Sequence, residues 1–131
     1  MTRYRWLPPV LACLALSGCA SFQHLTEDLA GVFSGTGEKE LEFGVKAYED
    51  GEYPYAARLL QASLDAGLRG RSKQARAHKF LAFIHCVSGR MQPCREEFRK
   101  ALDIDPSFEL SEDEAGHPVW GSVFRGVKSR K

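Results

Sequence analysis

From Glu38 onward the apolar positions recur at helical spacing. In "EKELEFGVKAYEDG", Leu41, Val45 and Tyr48 stand at i, i+4 and i+7, with Phe43 and Ala47 beside them. Gly51 ends this first helix. "EYPYAARLLQASLDAG" restarts at once: Pro54 suits a first turn, where a missing N–H costs nothing, and Ala56, Leu59, Leu60, Ser63 and Leu64 form the inner face as far as Gly67. "LRGRSKQA" (68–75) reads as a basic joint with Ser72 as N-cap. A third helix follows in "KQARAHKFLAFIHCVSG", with Ala77, Phe80, Leu81, Ile84 and Cys86 inward and Gly89 as its stop. The fourth, "RMQPCREEFRKALDIDP", has Pro93 in its first turn, turns Cys94, Phe98, Ala101 and Leu102 inward, and is halted by Pro106. Ser111 with Glu114 three residues later is a capping-box signature. A last amphipathic segment after Pro118 carries Val119, Trp120, Val123, Phe124 and Val127; Gly121 and Gly126 weaken it as a single helix.

The first 38 residues have a different texture. "MTRYRW" holds Arg3 and Arg5 and no acid, "LPPVLACLAL" is almost wholly apolar, and Ser17, Gly18, Cys19 and Ala20 are small. A basic start, an apolar run of about ten residues and a small-residue junction make a secretory signal, too short for the roughly 20 residues of a spanning helix. The junction "LSGC" resembles the bacterial lipobox, in which the chain is cut before the cysteine and the cysteine is lipidated. The resemblance implies a removed segment 1–18 and a diacylglycerol on Cys19, against the alternative of a core cysteine in a cytoplasmic helix. Residues 19–38 then form a lipidated terminus and tether, with "SGTG" (34–37) a flexible joint by composition. The helical domain occupies 39–131, with 107–131 as its cap.

Charge decides what does the anchoring. The 131 residues are 44% hydrophobic and 27% charged, with a formal net charge of +1. No basic stripe points to nucleic acid. Loss of Arg3 and Arg5 with the signal leaves 16 bases against 17 acids, so attachment to a membrane falls to the lipid.

The four helices are two copies of one unit. Phe43 aligns with Leu81, 38 positions on, and Gly44 with Ala82, Gly51 with Gly89, Ala56 with Cys94, Leu60 with Phe98, Ser63 with Ala101 and Leu64 with Leu102. The pattern resembles the tetratricopeptide repeat (TPR), with small residues where two helices approach, a glycine between them, and the closing Asp105-Pro106 in the second copy. The first copy lacks that dipeptide and both lack the family's tryptophan. The period exceeds the usual repeat of about 34 residues, and the joint 68–75 is where the excess would fall. An all-α fold is expected: two antiparallel helix pairs plus a C-terminal capping segment. Trp120 and Phe124 should cover the open face of the fourth helix, or else stand exposed as an anchor for a partner.

The resemblance implies protein binding on a groove lined by the first helix of each pair, here Glu42, Lys46, Glu49, His78, Lys79 and Phe83. No catalytic motif is present, so no enzyme and no cofactor beyond the lipid on Cys19 is expected. His78, His85, Cys86 and Cys94 fit no standard zinc spacing, and no metal is expected. His85 reads as a core histidine and His117, before Pro118, as part of a turn. In an oxidising compartment Cys86 and Cys94, astride the turn at Gly89, are a candidate disulfide or two buried thiols. Lipobox, tether, two repeats, cysteine pair and "GHPVWGSVF" together resemble the small TPR lipoproteins of type VI secretion clusters. That implies a non-enzymatic accessory role with a protein partner. Ala20, rather than aspartate, after Cys19 implies the periplasmic face of the outer membrane. The rival expectations are a pilotin-like or assembly lipoprotein for outer-membrane proteins or pili, and an activator of a cell-wall enzyme.

Overall fold

A computed structural model describes residues 36–131, and Cys19, the signal and most of the tether lie outside them. Among the described residues there are six helices and no strand. They are α1 Thr36–Glu49, α2 Tyr53–Asp65, α3 Arg71–Val87, α4 Met91–Ile104, α5 Glu112–Ala115 and α6 Trp120–Lys128. The fold is all-α: hairpin α1–α2, hairpin α3–α4, then a C-terminal segment.

Each hairpin closes on a glycine in the left-handed region, Gly51 at φ 81° and Gly89 at φ 72°, which a side chain would disfavour. Matched small residues let the helices approach. A Cβ on Gly44 would lie 2.9 Å from Leu60 Cγ and 3.1 Å from the Leu60 nitrogen. Ala82, its counterpart, is fully buried, as are Ala56, Cys94, Leu60, Phe98, Ser63 and Ala101. Ser63 satisfies its hydroxyl by donating to the Leu60 carbonyl at 2.7 Å, so a polar residue can stand where the second hairpin has Ala101.

Two boundaries depart from the sequence expectation. Helix α1 begins at Thr36, inside the stretch read as a joint. Gly37 is buried there, and a Cβ would sit 3.0 Å from the Ser63 carbonyl oxygen, so its glycine serves close packing rather than flexibility. Helix α3 begins at Arg71 with Gly70 as N-cap, and Ser72 caps nothing. Residues 71–75 of the expected joint are therefore helical, and the connection is confined to 66–70. The connection 66–70 is pinned from both sides: Leu68 is buried in the core, and Gln74 Nε2 donates to its carbonyl at 2.6 Å.

The segment after Pro106 behaves as a partial third unit. Helix α6 packs on α4 and more lightly on α3, as α3 packs on α2 and more lightly on α1. It is one helix despite its two glycines. Gly121 is where α6 meets the end of α5, and a Cβ there would run into the Ala115 carbonyl. The expected capping box forms: Glu114 N–H donates to Ser111 Oγ, and Ser111 N–H to Glu114 Oε2 at 3.0 Å. A chain of aromatic contacts runs through all these parts, from Tyr53 to Tyr48, Phe80 and Phe83, then to Phe98, Phe124 and Phe108.

Candidate functional site

The six residues expected to line one groove are divided among four environments. Glu42, Lys46 and Glu49 are exposed on α1. Glu42 accepts from Arg76 Nη1 at 2.8 Å and Lys46 pairs with Asp50 at 2.8 Å. His78 turns toward α4, where its Nδ1 lies 2.6 Å from Glu97 Oε2. Lys79 reaches the other way and donates to Glu114 of α5 at 2.6 Å. Phe83 is 2% exposed and lines no open groove. The physical reason is α6: its first residue, Trp120, stacks on Phe83 with ring centroids 4.5 Å apart, which closes the inner face of α3.

Trp120 and Phe124 therefore cover rather than anchor. Phe124 is 3% exposed and meets Phe98 of α4 edge-on, as expected of a residue covering the fourth helix. Trp120 covers α3 instead, held between Phe83 and the imidazole of His117. His117 Nδ1 accepts from the Val119 N–H at 3.2 Å, so the histidine shapes the turn into α6. That geometry gives "GHPVW" a structural purpose.

Two carboxylates hold this arrangement. Burial pushes the Glu97 carboxyl up, but hydrogen bonds from His78 and Lys100 outweigh it and leave the group below its ordinary value. Glu114 behaves alike: burial raises it, and bonds from Lys79 and the Ser111 backbone bring it below. Lys79 also lies 4.7 Å from the centre of the Phe80 ring. Nearby, burial first, then the charges of Tyr53 and Glu114, push the Tyr48 hydroxyl up to about 12. His85 is half-buried and its Nδ1 has no hydrogen-bond partner among the described residues; burial lowers it, and Arg90 adds to the effect.

Cys86 and Cys94 are buried at disulfide distance across the Gly89 turn, with Cα atoms 5.2 Å apart. Among the described residues no three His, Cys, Asp or Glu side chains gather as a metal site, and no helix is long and apolar enough to cross a membrane.

One surface feature is not legible along the chain. Between α4 and α6 lies a cleft of about 470 Å³, lined by Met91, Arg95 and Arg99 from one side and by Val123, Gly126 and Arg130 from the other. Its basic residues were hidden because "CREEFRK" averages to little net charge along the chain. Spacing was the available signal: Met91, Arg95 and Arg99 are four apart and share a face, while the intervening Glu97 turns inward to His78.

Compared with known proteins, the chain matches no family model, no curated protein and no solved structure.

Proposed function

We propose that this chain is a lipid-anchored, TPR-like interaction module on the periplasmic face of the outer membrane. It is non-enzymatic and accessory to a secretion system of the type VI kind. The observation that carries the address is the pairing of two independent features. The N-terminus reads as an export signal ending in Leu16-Ser17-Gly18-Cys19, and the two cysteines that remain after it lie at disulfide distance. Disulfides persist in exported proteins and are rare in reducing compartments, so both features favour the same side of the membrane. Repeated helical hairpins present broad surfaces suited to a protein partner.

The anchor is tested by Cys19→Ser. Wild-type chain is expected to incorporate labelled palmitate and to fractionate with the outer membrane, and the variant to lose both. A variant that is still processed and membrane-bound overturns the lipidation reading. Crosslinking in intact cells from exposed positions on α1 and α6 tests the partner. Secretion-apparatus subunits are expected, whereas capture of barrel or pilus subunits would replace that role with outer-membrane or pilus assembly.

A further inference from the structure

The cleft between α4 and α6 has the character of a helix-docking site. Met91, Arg95 and Arg99 span two turns of α4, about 12 Å at 1.5 Å per residue. On α6 the facing positions are Val123, Gly126 and Val127, again at helical spacing, and Arg130 follows just past the end of the helix. Its apolar lining is Met91, Val123 and Val127, and its cationic lining is Arg95, Arg99, Arg130 and Lys131. Arg95, Arg99 and Arg130 make no ion pair among the described residues, and no acidic side chain lines the cleft. Lys131, at its end, is paired with Asp103. Gly126 leaves open space where a Cβ would stand, which lets another backbone approach closely.

We infer that this cleft binds an acidic amphipathic helix of a partner protein. Two helices lying side by side form a groove that a third helix enters at an interaxial distance of about 8–10 Å. Apolar residues of the incoming helix would cover Met91 and Val123, and its flanking Asp or Glu carboxylates would meet the three guanidiniums, whose forked donors match carboxylates. A bilayer would offer phosphates to the same arginines, but as a plane, and these line a concavity. The large exposed apolar residues, Phe43, Tyr55 and Val87, which could enter a membrane, lie outside the cleft. The inference rests on the domain being a protein-binding module and is independent of the anchor.

The test is titration of the full chain, in non-ionic detergent, with a fluorescent amphipathic peptide of about four helical turns. Its apolar face is leucine and its flanks are glutamate. The comparison probes are the same peptide with lysine for glutamate, vesicles containing phosphatidylglycerol, and inorganic phosphate. The glutamate peptide is expected to bind and to shift the Gly126 amide resonance. Arg95→Glu with Arg99→Glu should weaken it about tenfold or more, and the lysine peptide should then bind this variant. Arg130→Glu is the second variant should the first lose its helical melting transition. The inference is overturned if the glutamate peptide leaves Gly126 unmoved, if the lysine peptide binds the unaltered protein equally well, or if vesicles or phosphate reproduce the shift. Any of those results leaves in-cell crosslinking of a partner at α1 intact, so the cleft can fail while the broader reading stands.

Discussion

Phe43 on α1 and Leu81 on α3 occupy the same place in their hairpins, yet Phe43 is 63% exposed and Leu81 is 5% exposed. The same holds for Lys46, which is in solvent, and Ile84, which is 1% exposed. The backbone unit is shared, so the difference comes from neighbours. Hairpin α3–α4 is packed between α1–α2 on one side and α5–α6 on the other, and hairpin α1–α2 is covered by described residues on one side alone. A repeat of this kind cannot bury both faces by itself, and its hydrophobicity follows the layers stacked on it.

The strongest way to break the contrast is at the centre of the second hairpin. Phe83→Ala removes the ring that meets Tyr48, Phe80, Phe98 and Trp120, and should cost about 3–5 kcal/mol in denaturant unfolding. Val45→Ala, at the matched position, should cost about 1–3 kcal/mol. Equal losses would mean that the two hairpins share one uniform core. Next in size is the cysteine pair, which only the second hairpin has. Replacing Cys86 and Cys94 by alanine should lower stability by about 2–3 kcal/mol, measured by thermal melting under oxidising conditions, because the bridge closes a short loop. The difference should vanish when wild type is reduced.

The small-residue match sharpens the comparison further. Gly44→Ala should destabilise by about 1–2 kcal/mol despite alanine's better helix propensity, because the new methyl meets Leu60 at its branch point and backbone. Ala82→Gly should destabilise by about 1 kcal/mol for the opposite reason, lost propensity and lost packing. If Gly44→Ala stabilises, the helices of the first hairpin are further apart than described. The smallest effect is that of pH. Glu97 and Glu114, both tied to the second hairpin, have carboxyls lowered from 4.5. Their contribution is present above that value and is lost as pH falls through the lowered ones, because the unfolded chain takes up protons first. His85, lowered from 6.5, adds a loss that begins below about that pH for the same reason. In Glu97→Gln with Glu114→Gln, stability measured between about pH 5 and 3 should fall less steeply than in wild type.

Most of the fold was legible because its signals are local. Leu41, Val45 and Tyr48, the glycines at 51 and 89, and the box of Ser111 and Glu114 each act within a few residues of themselves. The aligned small residues announced two hairpins for the same reason. The groove was not legible. Phe83 looked available because nothing near it in sequence covers it; Trp120, 37 positions on, does. Gly37 looked like a joint because its reason, the Ser63 carbonyl, is 26 positions away. The basic cleft stayed hidden because one residue of "CREEFRK", Glu97, is taken inward by His78 of another helix.

The sequence by itself determined the helices, their turns, their pairing into hairpins and the distinct character of the first residues, since helical periodicity, capping and glycine conformations are properties of neighbouring residues. Only the tertiary structure decided which inner face stays open. That depends on where α6 comes to rest, and α6 rests where Trp120 and Phe124 find rings from two different helices to bury against.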